Sequence, residues 1–532
     1  MLIGRNRTGP GTYAVASRRP YTGSTIETES KLTRCLSLIL IATAWIWLCP
    51  AAAAVAADPP PADRLDEMEA VFDEGLGSGA APGGAVSVVD RDAILRADGF
   101  GRADGSGRPV TADTPFLLGS TSKSFTAMAV MQLVEDGKVG LDAAVTEYVP
   151  EFELAGDSAD RITVRQVLGH TSGLPLNPAG GPILKGASDG TPLEALEELR
   201  GKELSSEPGT EMAYVNANYV LAGLVVERAS GMPYAEYVER NIFEPLDMKR
   251  SFAEPDAARA AGLAAGHRYV FGLRDETDTS FHPATLAAGY LMSSAGDLAL
   301  YLASLLNEGV GLNGRRVLSR EGVREMLAAG EATTSLGPWA DGVESRYAMG
   351  WFVGGPWDEP AILHPGDAVD SSSMLVLLPE RGIGVATLVN ASNELPVPGN
   401  PAAIPRMQRN AVDALLGERV TTGTSVRSFY VFFDLAVLLL VALSAFALYR
   451  AIRDVRSARP PTHRGLAIAA IPLWMVAAGV FIFYPAIVGY GSAAMLAWHP
   501  DLAVSVWLIG ALLAGVLVSR VVWLARTRHS AG

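Results

Sequence analysis

Three apolar runs near the C-terminal end, 429–448, 466–488 and 502–518, divide this 532-residue chain before anything else about its fold can be read. Each is close to the ~20 residues that a bilayer-spanning helix needs. Arg450, Arg453, Arg456, Arg459 and Arg464 fill the first connection, and Arg520, Arg526 and Arg528 follow the third run. Basic connections stay in the cytoplasm, so three spans put everything before residue 429 on the outer side. The N-terminus gives the same sidedness. Arg5, Arg7, Arg18, Arg19, Lys31 and Arg34 precede an apolar run, 35–57, that closes in Val55-Ala-Ala57, the pattern of a secretory signal cut after Ala57. Uncut, that run is long enough to anchor the chain in the bilayer, again with the body outside. The expected organisation is a signal segment 1–57, an outer domain 58–416, a linker 417–428 and a three-helix membrane region 429–526. The expected location is the cell membrane, multi-pass, with lipid as a partner and the outer domain periplasmic or extracellular. Asp434 lies near the outer end of the first span, where its carboxylate can snorkel to the interface.

Charge follows the same division. Residues 1–57 carry +4 and 427–532 carry +6, so 58–426 carries −24 within a total of −14. Bulk charge of that sign excludes nucleic acid and anionic lipid as partners of the outer domain. Both cysteines, Cys35 and Cys49, fall in the signal segment, so a cut chain has neither a disulfide nor a thiolate.

Within the outer domain one stretch stands out, Phe116-Leu-Leu-Gly-Ser120-Thr-Ser-Lys123, at the start of an apolar helix that carries Phe125, Met128, Ala129 and Leu133 and ends near Gly137. Residues three apart share a helix face, so the Ser120 hydroxyl and the Lys123 amine can meet. A desolvated lysine can lose its proton and then activate a serine as a nucleophile. The plain alternative is a helix cap beside a solvated charge. Of the chain's lysines, only Lys123 has a serine three residues before it.

Around that helix the pattern predicts strands at 83–89 and 93–96, a helix at 64–75, helices and loops over 141–330, strands at 347–353, 373–378 and 384–390, and a closing helix at 405–416. Strands at both ends and helices between describe an α/β (α+β) domain, with one antiparallel sheet built from the two termini and a helical lobe inserted in the middle.

Two more stretches belong with Ser120: Tyr214-Val-Asn216 just before an apolar helix, and His364-Pro-Gly366-Asp367 at the start of a strand. Ser-x-x-Lys, then Tyr-x-Asn, then Lys/His-x-Gly, in that order, resembles the penicillin-recognising serine hydrolases, the group of class C β-lactamases, DD-peptidases and related esterases and D-amino-acid peptidases. His170-Thr-Ser-Gly173 and Tyr347-x-x-Gly-Trp351 look like further landmarks, and the likeness runs over most of 62–416. The resemblance implies a β-lactamase/transpeptidase-like fold in which Ser120 attacks a carbonyl and Lys123 takes its proton. It implies that Tyr214 relays protons, aided by a neighbouring lysine cation that lets it ionise below its usual pKa. Asn216 and His364 would bind substrate, Gly366 would let the strand come close, and the Ser120 and Asp367 N–H groups would form the oxyanion hole. No metal or organic cofactor is implied. The substrate is a small molecule or a peptide, such as a cell-wall peptide, with ester, D-peptide and β-lactam all open.

Two departures bear on the substrate: His364 stands where a permanent cation would hold a carboxylate, and Asp367-Ala-Val-Asp-Ser-Ser-Ser373 replaces a glycine-rich stretch. Two rivals also stand. Gly186-Ala-Ser188-Asp-Gly190 matches a nucleophile elbow, but without a clear strand before it. The domain could also be a catalytically silent sensor or binding module signalling through its spans.

Overall fold

The computed structural model describes residues 59–175, 190–277, 281–336, 339, 342–392, 402–421, 425–457, 469–484, 495–496 and 499–529. The expected signal segment and Ser188 of the elbow motif lie outside these residues.

Helix α1 (Ala62–Gly75) buries Leu65, Met68 and Phe72, the stripe its spacing predicts. Strands β1 (Gly83–Val89) and β2 (Ile94–Gly101) turn back at Asp90, whose Oδ1 accepts the N–H groups of Asp92 and Ala93, each at 2.8 Å. The short β3 (Phe116–Leu117) leads into helix α2 (Ser122–Glu135). The helical lobe follows, with α3 (Asn216–Ser230), a hairpin of β4 (Gly266–Val270) and β5 (Leu273–Thr277), the short α4 (Leu286–Gly289), β6 (Met292–Ser293) and α5 (Ala295–Leu306). Strands β7 (Thr333–Ser335), β8 (Glu344–Tyr347), β9 (Phe352–Val353), β10 (Ile362–Asp367), β11 (Ser372–Leu378) and β12 (Ile383–Val389) then lead to α6 (Ala403–Leu416).

Eight strands form one antiparallel sheet in the order β2-β1-β12-β11-β10-β9-β8-β7, so the N-terminal hairpin and the C-terminal strands share it, as expected. Every residue of β1, β11 and β12 is buried. A sheet covered on both faces buries its strands along their whole length, here with Ser87, Ser372, Ser373 and Thr387 among the apolar residues. One face meets α1, where a Cβ at Gly84 would lie 2.9 Å from the Phe72 ring. The other meets α5, whose Ala295 carbonyl accepts from Ser87 Oγ at 2.7 Å.

Three local readings change. The expected strand 347–353 is two strands, because Gly350, at φ +78°, turns the chain where a Cβ would lie 2.8 Å from the Lys123 carbonyl. The β4–β5 hairpin lies in a stretch read as helices and loops; its Phe271-Gly272 turn lacks the Asn-Gly or Asp-Gly signature that marks such turns in sequence. Helix α2 has more than an apolar stripe: Ser122, Lys123, Ser124 and Thr126 are buried with its apolar residues. Their hydroxyls find partners, such as Ser124 Oγ to Thr121 O at 2.8 Å and Thr126 Oγ1 to Ala287 O at 2.7 Å.

After α6 come α7 (Val426–Ser457), α8 (Ile471–Ile482) and α9 (Pro500–His529). Among the described residues two helices, Val426–Arg456 and Pro500–Arg526, are long and apolar enough to cross a membrane. The described part of the expected middle span, 469–484, holds a helix of 12 residues, about 18 Å against a hydrocarbon core of about 30 Å. Two of the three expected spans therefore reach the required length here.

Phe125 of α2 stacks on Tyr301 of α5 with centroids 4.0 Å apart and meets Phe243 edge-on at 5.6 Å. Phe125→Ala is expected to cost roughly 3–5 kcal/mol. Thermal unfolding of the purified chain should show the midpoint several degrees lower, and an unchanged midpoint would contradict α2 as the packing centre.

Candidate active site

Ser120 sits in one turn of 3₁₀ helix, Gly119–Thr121, that runs directly into α2. Side chains three apart eclipse in that geometry, which aims Ser120 and Lys123 the same way. Lys123 Nζ lies 3.0 Å from Ser120 Oγ and donates to Ala288 O at 2.6 Å. The Lys123 side chain has no exposed surface. An ammonium there would lose its hydration shell with one carbonyl in return, so burial pushes the amine well below the ordinary lysine range.

Tyr214 stands on the extended approach to α3, its phenol hydrogen-bonded to Ser120 and its ring centroid 4.9 Å from Lys123 Nζ. Burial pushes this phenol up, against the weaker downward pull of the Ser120 bond. Burial thus works against both the expected lysine cation and the acidified tyrosine. Desolvation is the largest influence on each group and pushes both toward their neutral forms.

His170 explains how Tyr214 is held. It occupies the left-handed region at φ +54°, and its ring lies 4.3 Å from the Tyr214 ring. Its carbonyl accepts the Ala213 N–H at 2.9 Å and its Nδ1 accepts the Val215 N–H at 3.2 Å, so the backbone is gripped on both sides of Tyr214. His170, a landmark of the resemblance, is therefore a positioning residue for the tyrosine.

Asn216 opens α3 with its Oδ1 buried and unpaired among the described residues. His364, on β10, is buried and faces Tyr214 with ring centroids 6.2 Å apart. Its Nδ1 contacts Pro365 O at 2.6 Å and its Nε2 lies 3.0 Å from Tyr347 Oη. A carbonyl only accepts, so Nδ1 carries the proton and Nε2 accepts from the tyrosine. Both ring nitrogens are used inside the protein, and burial holds the imidazole down at about 3, hence neutral.

The close approach of β10 to the nucleophile depends on glycine. A Cβ at Gly366 would lie 2.1 Å from Leu118 O and 2.3 Å from Ser373 Oγ. A Cβ at Gly119 would lie 2.7 Å from the Asp367 nitrogen, which brings the Asp367 backbone against the Ser120 turn. The serines that replaced the glycine-rich stretch fasten this junction. Ser371 Oγ donates to Leu117 O at 2.9 Å and Ser373 Oγ to Leu118 O at 2.5 Å. Their hydroxyl pattern gives no sequence signal of its own, because the acceptors are backbone atoms from a distant strand.

All the predicted site residues, Ser120, Lys123, Tyr214, Asn216, His364, Gly366 and Asp367, thus converge where α2, α3 and β10 meet. The Beta-lactamase family profile matches residues 68–404, which is most of the chain before α7. The chain belongs to the Beta-lactamase family. Among relatives, penicillin-binding protein 4 of Amycolatopsis lactamdurans is 30% identical over 319 residues, 58% of this chain and 81% of that protein. Protein flp of Staphylococcus aureus (strain MW2) is 23% identical over 334 residues, 62% of this chain and 64% of its own length, so the chain spans less than two thirds of that relative. The octameric penicillin-binding protein homologue from Pyrococcus abyssi superposes with a TM-score of 0.57 at 28% identity, covering 67% of this chain and 78% of that one. The D-amino acid amidase from Ochrobactrum anthropi SV3 has the same fold, at a TM-score of 0.55 and 23% identity over 67% of this chain and 98% of its own.

The buried neutral imidazole has a measurable consequence. Unfolded histidine titrates near 6.5, whereas folded His364 is held to about 3. Between those values the unfolded chain binds the extra proton, so stability falls as pH falls. His364→Gln should lose less stability than the native chain between pH 6.5 and 4 in thermal unfolding, and an identical slope would contradict a buried neutral His364.

Proposed function

We propose that Ser120 is the acyl-accepting nucleophile of a membrane-anchored, outward-facing serine hydrolase whose substrates are amides or esters with no carboxylate beside the scissile bond. The observation that carries this reading is the fully buried Lys123 amine 3.0 Å from the Ser120 hydroxyl. A neutral amine at that distance is a general base already in hydrogen-bond contact with its proton. Lys123 Nζ takes the Ser120 proton as Oγ bonds to the acyl carbon. The developing oxyanion is received by the Ser120 and Asp367 N–H groups, and Asn216 offers its amide to the substrate. Tyr214 gives its proton to the departing amine or alcohol and recovers one from the Lys123 ammonium. Water then enters along the reverse proton path and releases the acid.

The restriction on substrate rests on His364. With Nδ1 and Nε2 both occupied, it has neither charge nor a spare N–H for a carboxylate. Penicillin-binding protein 4, the relative at 30% identity, is named for penicillin, whose carboxylate calls for such a partner; here that partner is withdrawn. Amides and simple esters need none.

Anchoring is supported by the ends of the two long helices. Val426 and Tyr430 of α7 cluster with Leu502 and Val506 of α9, so both N-terminal ends lie together against Tyr269 of the outer domain. The arginines sit toward the other ends, where Arg520 of α9 pairs with Asp454 of α7 at 2.7 Å. Basic ends away from the domain agree with an external domain under the positive-inside rule.

A p-nitrophenyl ester and a D-amino-acid anilide should be hydrolysed by the purified chain, with activity at background in Ser120→Ala and about 10²- to 10⁴-fold lower in Lys123→Met. Peptides ending in a free carboxylate should turn over more slowly than their amidated forms. Full activity in Ser120→Ala would overturn the nucleophile, and a preference for the free carboxylate would overturn the reading of His364.

A further inference from the structure

The β4–β5 hairpin takes no part in the chemistry proposed for Ser120, yet it touches both the outer domain and the membrane helices. At its base, the His267 N–H donates to Asp370 O at 2.9 Å and the His267 carbonyl accepts from the Ser392 N–H at 3.1 Å. At its tip, the Phe271 N–H donates to the Asp501 carboxylate of α9 at 3.2 Å, and Tyr269 stacks on Tyr430 of α7 with centroids 5.6 Å apart. The seat is tight: a Cβ at Gly272 would lie 2.8 Å from Tyr430 Cβ. The tip is thus fixed beside the N-terminal ends of α7 and α9.

Polarity is graded along the hairpin. Toward its base, Arg268 pairs with Asp275 at 3.1 Å, and His267 lies 3.6 Å from Glu276. The tip is apolar and uncovered, with Leu273 73% exposed and Phe271 39% exposed. Phe271 also sits at φ +50°, where asparagine or glycine is the usual and less strained choice for such a turn. An aromatic residue kept at that position, with an exposed leucine beside it, is a poor solution for a tip in water. The apolar surface continues from the tip onto α7, where Phe432 is 72% exposed and Leu435 59% exposed.

We infer that Phe271-Gly272-Leu273 is a lipid-contacting element that dips into the outer leaflet beside α7 and α9 and sets the outer domain against the bilayer surface. The inference rests on the membrane reading of α7 and α9. Lipid is the occupant because the tip adjoins the surface that spanning helices give to lipid, and because the charged side chains of the hairpin, Arg268, Arg274, Asp275 and Glu276, all lie on the base side of Phe271-Gly272-Leu273, with Arg274 next to the tip and long enough to snorkel to the interface.

The test uses the full chain with Cys35 and Cys49 replaced by serine, reconstituted in phosphatidylcholine nanodiscs and carrying one nitroxide label, at Leu273→Cys or at Phe432→Cys. Collisional broadening by oxygen and by a water-soluble nickel chelate separates lipid, water and protein surroundings. Labels at both 273 and 432 should be open to oxygen and shielded from the chelate. If 432 behaves so while 273 is open to the chelate, the tip is in water and the inference falls while the membrane reading stands. A label at 273 shielded from both reagents places it against protein, such as a second copy, and also overturns the inference. Chelate access at 432 overturns the membrane reading, and the lipid-contacting tip with it.

Discussion

Burial of one lysine amine is the constraint on which the rest of this structure depends. A charged ammonium on a side chain with no exposed surface gives up its hydration for the Ala288 carbonyl and the Ser120 hydroxyl, so burial pushes the amine toward its neutral form, and a neutral amine beside a serine is a base. That solution requires α2 to be a core helix. It also requires α4 to present Ala288, and α4 is held to α2 by Thr126 Oγ1 bonding Ala287 O at 2.7 Å. The polar residues of α2, which a surface helix would turn to water, are here the fasteners of the site.

The same dryness reaches the neighbours. Burial pushes the Tyr214 phenol up and holds His170 and His364 below the usual histidine range, with Lys123 adding to the shift of both imidazoles. The order of the cluster comes from backbone grips. His170 holds the residues on both sides of Tyr214, Tyr347 and Pro365 fix the His364 ring, and Ser371 and Ser373 tie β11 to the segment before Ser120. Gly366 and Gly119 let the strand and the nucleophile turn touch, and no other residue fits either gap.

What could be read from sequence follows from distance along the chain. Ser120 and Lys123 are three apart, so a local periodicity places them together. The sheet was legible because β1, β11 and β12 are short, mostly apolar runs rich in β-branched residues. Tyr214 and His364 could be assigned only through the order of motifs, since each is too far from Ser120 for spacing to say anything. Protonation states depend on how much water the fold excludes, which no local pattern records. The β4–β5 hairpin was missed because a Phe-Gly turn carries no turn signature, and the hydroxyl ties of Ser371 and Ser373 were missed because their partners are carbonyls in a distant segment.

The central claim, a serine made nucleophilic by a neutral buried lysine, is tested most directly by treating the reconstituted chain with a fluorophosphonate at pH 7 and mapping the adduct by peptide mass spectrometry. The account predicts one adduct, on Ser120, formed at a rate that rises with pH as Lys123 loses its proton and stays high well below the ordinary lysine range. An adduct on Ser188, or none on Ser120 in the folded chain, would contradict it.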